Sequence, residues 1–161
     1  MEVIIRPIQK EEILLLEDFL YEAIFVKDMN VPISREILNE PEIQVYIKDF
    51  GKPDDVCLVA ETDNKIIGAV WTRILHGEVK GFGNIDDSTP EFAISVYKEY
   101  RNEGIGTKLM TEILKLLKEK GSYKQVSLAV QKDNYALSMY QKTGFKIIGE
   151  REEEYIMLQE L

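Results

Sequence analysis

The residues best placed to do chemistry lie between Phe92 and Phe145. The stretch F-A-I-S-V-Y-K-E-Y-R-N-E-G-I-G-T-K-L, Phe92 to Leu109, sets Arg101, Gly104 and Gly106 between an alternating apolar run and a helical one. The first turn of a helix carries unsatisfied N–H groups and the positive end of the helix dipole, and glycine lets the backbone approach a bulky anion. A pyrophosphate suits such a place, with Arg101 adding a fixed charge. Two common phosphate patterns do not match. The Walker pattern needs a lysine followed by serine or threonine, whereas here the order is Gly106-Thr107-Lys108 with the glycines too close together. The dinucleotide pattern G-x-G-x-x-G needs glycine where Leu109 stands. What remains is R-x-x-G-x-G. A second stretch, N-Y-A-L-S-M-Y-Q-K-T-G-F from Asn134 to Phe145, spaces Asn134, Leu137 and Tyr140 along one side of a helix, so that an amide and a phenol can face one cleft.

Other candidates are fewer. Glu91 directly precedes the alternating run, and Asp86, Asp87 and the single histidine, His76, fall in a loop, where solvation is the simpler reading. One cysteine, Cys57, cannot close an internal disulfide, and with one histidine beside it no His/Cys zinc cluster can be assembled. No metal is expected.

The elements that must position these residues follow from periodicity. Val3 to Arg6 reads as an opening strand closed by Pro7. Lys10 to Val26 has the apolar spacing of a helix, and a second helical stretch starts at Ser34, is split by Pro41 and runs to about Phe50. Val56–Glu61 and Ile66–Ile74 read as a hairpin around Thr62-Asp63-Asn64-Lys65, and His76 to Pro90 as a long surface loop of the kind that is usually functional or mobile. A strand over 92–96, a helix from Gly104 to Lys120 stopped by Gly121, a strand around Val126–Val130, a helix over Asn134–Lys142 and closing strands at Phe145–Gly149 and Tyr155–Leu158 complete the series. The reading is a single α/β domain over residues 1–161, without repeats or linkers.

Charge narrows the partners. The formal net charge is −9, which argues against general affinity for nucleic acid or anionic membrane. Lys98 to Lys146 holds ten basic and five acidic side chains, a balance of +5 that leaves −14 for the rest. No apolar run approaches the roughly 18 residues that span a bilayer, and M-E-V-I-I-R-P lacks a leader pattern, so a soluble cytoplasmic protein is expected.

R-x-x-G-x-G followed by N-x-x-A-x-x-x-Y-x-x-x-G-F, with Asn134, Ala136, Tyr140, Gly144 and Phe145 in place, resembles the GNAT family of acetyl-CoA-dependent N-acetyltransferases, and the order β-α-α-β-β-β-α-β-α-β-β is that of the family. The resemblance implies a mixed, mostly antiparallel sheet of six to seven strands with helices on both faces. It also implies acetyl-CoA as co-substrate, lying between two splayed strands against Ile94, Ser95 and Val96. Its pyrophosphate would lie on Arg101, Asn102, Glu103, Gly104, Ile105, Gly106 and Thr107, with Asn134 nearby. A backbone N–H near Val96 would polarise the thioester carbonyl, Tyr140 would be the general acid and Glu91 a candidate base, with direct transfer to an amine in a ternary complex. For the acceptor pocket, family topology points to Phe25, Val26, Asn30, Trp71, Arg73 and Tyr155, with core packing the stronger reading for Trp71. The expected partner is a small-molecule or peptide amine, cationic if the −14 remainder draws it in, and many relatives are homodimers. Two alternatives are a non-catalytic CoA-binding sensor or assembly module of the same fold, and a protein- or RNA-contact role for the basic segment. Interleaved glutamates and the lack of aromatic stacking motifs weaken the last.

Overall fold

The computed structural model describes residues 1–24 and 33–161. Seven strands, β1 (Ile4–Pro7), β2 (Val56–Thr62), β3 (Lys65–Arg73), β4 (Glu91–Val96), β5 (Gln125–Gln131), β6 (Lys146–Glu150) and β7 (Glu154–Glu160), form one sheet in the order β1-β2-β3-β4-β5-β7-β6. Every neighbouring pair is antiparallel except β4 and β5. Because successive strand residues point to opposite faces, the sheet feeds two cores. Val56, Leu58, Ala60 and Val70 pack with α3 (Ile105–Lys120) and α4 (Leu137–Lys142), while Cys57, Val59, Ala69 and Trp71 pack with α1 (Leu16–Ala23) and the segment that follows α2 (Pro41–Gln44).

Local chemistry adjusts several expected boundaries. Thr62 pairs with Lys65, so the hairpin turn narrows to Asp63 and Asn64, both left-handed (φ 48° and 63°), as a two-residue turn compatible with strand twist requires. The helix expected from Lys10 is a 3-10 turn over Lys10–Leu15 before α1 begins. Glu12 is held there by Arg6 at 2.7 and 2.8 Å while also accepting from the Gln9 N–H at 2.8 Å. The helix expected from Asn134 starts at Leu137, since the Asn134 Oδ1 accepts from the Ala136 N–H at 2.8 Å and turns the chain before the helix is entered.

The parallel pair carries the feature that matters for function. β4 and β5 meet at Glu91 and Ser127, where the Ser127 N–H also donates to the Pro90 carbonyl at 3.0 Å. Past that point no further β4–β5 pairing occurs among the described residues, and the diverging strand edges open a cleft. On one side of it α1 is fixed to β4 by the Ser95 hydroxyl, which donates to the Phe19 carbonyl at 2.6 Å. On the other, α3 and α4 frame the opening.

Candidate active site

One half of the cleft, about 430 Å³, is framed by Ile94, Ser95 and Val96 of β4, by the loop and first turn leading into α3, and by the segment around α4. Asn102 (φ 65°) and Gly104 (φ 78°) adopt left-handed conformations that swing the chain into α3, a geometry asparagine and glycine tolerate best. The N–H groups of Ile105, Gly106 and Thr107 have no intrahelical acceptor and sit at the positive end of a 16-residue helix. Gly106 leaves room in front of them: a Cβ there would stand 3.3 Å from Met139 Sδ across the cleft. Arg101 is braced, its Nε donating to the Val96 carbonyl at 2.9 Å and its guanidinium 5.7 Å from the Tyr135 ring centroid. Free amides, a fixed cation and space between the helices are what the diphosphate and pantetheine arm of an acyl-CoA require, so these residues fit that group.

Ala23, Ile94, Asn134 and Tyr140 line this half and the next, marking where the two join. Tyr140 is 8% exposed, its ring edge-on to Phe92 (6.2 Å, 86°) and Phe145 (6.2 Å, 67°). Its hydroxyl has no hydrogen-bond partner among the described residues. Burial first, then the nearby Tyr135, pushes its pKa well above the ordinary phenol value, so it stays protonated and able to donate.

The second half, about 270 Å³, is mostly apolar: Leu20, Ile24, Ile43, Phe82, Leu128 and Val130 line it, with two carboxylates, Glu91 and Glu154. Glu91 is 4% exposed. Its Oε2 accepts a short hydrogen bond from the Tyr46 hydroxyl, and its Oε1 is buried without a partner among the described residues. Burial raises its pKa to about 7, opposed by the Tyr46 hydroxyl and by the nearby Gly83 N–H; Glu154 adds to the rise and Arg151 opposes it. The loop between β3 and β4 reaches this carboxylate because it lacks side chains there. A Cβ on Gly81 would lie 2.0 Å from Glu91 Oε1, and one on Gly83 would lie 2.7 Å from the Leu128 carbonyl carbon of β5.

Of the residues singled out from sequence, Ile94, Ser95, Val96, Arg101, Asn102, Gly104, Ile105, Gly106, Thr107, Asn134, Tyr140 and Glu91 all line the cleft. Glu103 does not: its side chain is exposed beside the loop. Neither does Trp71, which is 1% exposed in the core with its indole N–H donating to the Tyr46 carbonyl at 3.0 Å. Arg73 is also buried, paired with Asp55 at 3.0 Å and donating to the carbonyls of Val45 and Lys48. Tyr155, on β7, lies outside both halves, with Lys132 over its ring. Phe25, Val26 and Asn30 fall outside the described residues. His76 is exposed, Asp86 accepts from the Ser88 N–H, and Asp87 pairs with Lys80, all away from the cleft. Cys57 is buried and its thiol is pushed up by that burial. Among the described residues no cluster of three or more His, Cys, Asp or Glu side chains could hold a metal. Sequence reasoning missed Tyr46, Phe82, Glu154 and Arg151; the closely spaced Gly81 and Gly83 were the signal that this loop touches something.

The comparisons agree with this geometry. A relative from Sulfurisphaera tokodaii, an N-alpha-acetyltransferase, is 31% identical over 123 residues, covering 74% of each chain. Another of the same name from Saccharolobus solfataricus is 27% identical over 160 residues, 89% of this chain and 94% of that one. Among solved structures, the PaiA N-acetyltransferase from Thermoplasma acidophilum in complex with coenzyme A superposes with a TM-score of 0.70 over all of both chains at 21% identity. The model of the acetyltransferase (GNAT) family matches residues 23–145, a span holding both diverging strands and both helices that frame the cleft. The chain therefore belongs to that family and is an acetyl-CoA-dependent N-acetyltransferase.

Proposed function

We propose that the acceptor is an α-amine, as at a peptide N-terminus with an apolar first residue, and that Glu91 receives its proton while Tyr140 supplies one to the leaving thiol. Acetyl-CoA, when bound, contributes an electrophilic thioester carbonyl and a thiolate leaving group. The chain's own part is to hold it by the amides of Ile105–Thr107 and by Arg101, and to bring the acceptor from the opposite half. The carrying observation is Glu91: a carboxylate on the acceptor side, 4% exposed, with one oxygen unpartnered. A non-catalytic CoA sensor has no use for such a group.

Proton affinities favour the α-amine. With Glu91 at about 7, taking a proton from an α-ammonium of pKa about 7.7–8.0 is roughly one unit uphill, whereas from a lysine or polyamine ammonium near 10.4 it is more than three. The apolar walls of Leu20, Ile24, Ile43 and Phe82 suit an uncharged first side chain, and Glu91 with Glu154 favours the cationic amine on approach. The names of the two N-alpha-acetyltransferase relatives point the same way. No helix among the described residues is long and apolar enough to cross a membrane, and a lone thiol suits the cytoplasm.

A thiol-release assay at pH 7 tests the reading. Short peptides with a free apolar N-terminus should exceed spermidine and an Nα-blocked lysine peptide by at least about tenfold in kcat/KM. Equal or better turnover of spermidine overturns the α-amine assignment. In the same assay, Tyr140→Phe should lower kcat by about 10²-fold with acetyl-CoA affinity nearly unchanged; full activity would remove Tyr140 as the acid.

A further inference from the structure

We infer that Tyr46 is a positioning residue for Glu91: its phenol holds one carboxylate oxygen by hydrogen bond, leaving the other free to take the substrate's proton, and couples that carboxylate to the β3–β4 loop. This rests on Glu91 being the proton acceptor.

The phenol is engaged on two sides. It donates to Glu91 Oε2 and accepts from the Phe82 N–H at 2.8 Å, with the Phe82 ring stacked against it (6.4 Å, 17°). Donating in one direction and accepting in the other fixes where its single hydrogen lies. Tyr46 is itself anchored from β3: Trp71 holds its carbonyl, and Arg73 holds the neighbouring carbonyls of Val45 and Lys48 at 3.1 and 2.8 Å from a buried pair with Asp55. The far side of the loop is tied down as well, since the Phe82 carbonyl accepts from Arg151 Nη1 at 2.8 Å. Oε1 has no hydrogen-bond partner among the described residues, and the bare backbone of Gly81 lies against it. An anchored donor therefore restrains Glu91 through one oxygen, and the other, buried where Gly81 has no side chain, is left without a hydrogen-bond partner among the described residues.

The charged and titratable groups that face Glu91 are Tyr46 from the segment after α2, Glu154 of β7 and Arg151 of the turn before it. Of these, the phenol is the one in direct contact, and its donation favours the ionised carboxylate. Losing it raises the pH at which Glu91 gives up its proton.

The test is the pH profile of kcat/KM for Tyr46→Phe, alone and with Glu91→Gln, each checked by thermal melting. The acidic limb of Tyr46→Phe should move to higher pH, so that the deficit is largest near pH 6, about tenfold per unit of displacement, and shrinks toward pH 9. In Glu91→Gln the limb should be absent, and adding Tyr46→Phe should not restore it. A 3-fluorotyrosine placed at position 46, a stronger donor of the same shape, should move the limb the other way. If Glu91→Gln keeps the parent limb and rate, the assignment of Glu91 itself fails. If Glu91→Gln removes the limb but Tyr46→Phe lowers the rate equally at every pH, Tyr46 is structural and the inference is overturned.

Discussion

Glu91→Gln should lower kcat/KM by at least about 10²-fold while the protein melts at a higher temperature above pH 7 and binds acetyl-CoA as before. The loss of rate follows from removing the group proposed to take the amine's proton. The gain in stability follows from the same burial. Glu91 has its pKa raised from 4.5 to about 7, mainly by desolvation. Below pH 4.5 the carboxyl is protonated in both folded and unfolded chains and contributes no difference. Between pH 4.5 and 7 the unfolded chain has released its proton and the folded chain still holds it, so stability falls as pH rises through that window. The full penalty, roughly 3 kcal/mol from 2.5 units at 1.36 kcal/mol each, is present above pH 7. Glutamine is neutral at every pH and can still accept from Tyr46, so it escapes that penalty. A pair of measurements, turnover and melting temperature at pH 5 and pH 8, separates the possibilities: lost activity with a melting gain confined to pH 8 is expected. Retained activity would remove Glu91 from the reaction, and an equal melting gain at both pH values would mean that its carboxyl is not buried as an anion.

The half of the cleft proposed to hold acyl-CoA was legible in the sequence because its chemistry is local. Arg101, Gly104 and Gly106 lie within six residues of one another, and the turn that unites them is made by their own backbone preferences; Tyr140 shares a short helix with the segment that begins at Asn134. Strand alternation likewise gave both faces of β4 and β5. The half proposed for the acceptor is assembled from distant segments, and no period or spacing connects them. Tyr46 reaches Glu91 across 45 residues of sequence, and Arg151 reaches Phe82 across 69. Trp71 is instructive in this respect. Its type suggests a pocket wall, but a central strand buried on both faces makes it core, and its influence on the site passes through one hydrogen bond to the backbone of Tyr46. Tyr155 failed as a candidate for a different reason: successive residues of β7 point to opposite faces, so Glu154 lines the cleft while Tyr155 packs against the core on the α3 and α4 side.

Gly106→Val should abolish the protection that acetyl-CoA gives against thermal unfolding while leaving the unliganded melting temperature within a few degrees of the parent. Gly104 is the less informative target, since its φ of 78° strains any residue with a side chain and a loss of binding there would be confounded with backbone distortion. Gly106 carries no such conformation, and a Cβ there meets only the flexible Met139 side chain at 3.3 Å. Valine also has a somewhat better intrinsic helix propensity than glycine, which offsets small packing costs. What it cannot do is keep clear the space between α3 and α4 that gives access to the first-turn amides. For the parent, acetyl-CoA at one hundred times its Kd should stabilise by about 2.7 kcal/mol, or roughly 5–10 °C in a chain of this size. The variant should show no such shift at the same concentration and should lose thiol release in parallel. An undiminished shift would place the acyl-CoA elsewhere. In that event the free amides of α3, the brace of Arg101 and the gap between the parting strands would need another occupant, and Tyr140 would no longer stand beside the leaving group.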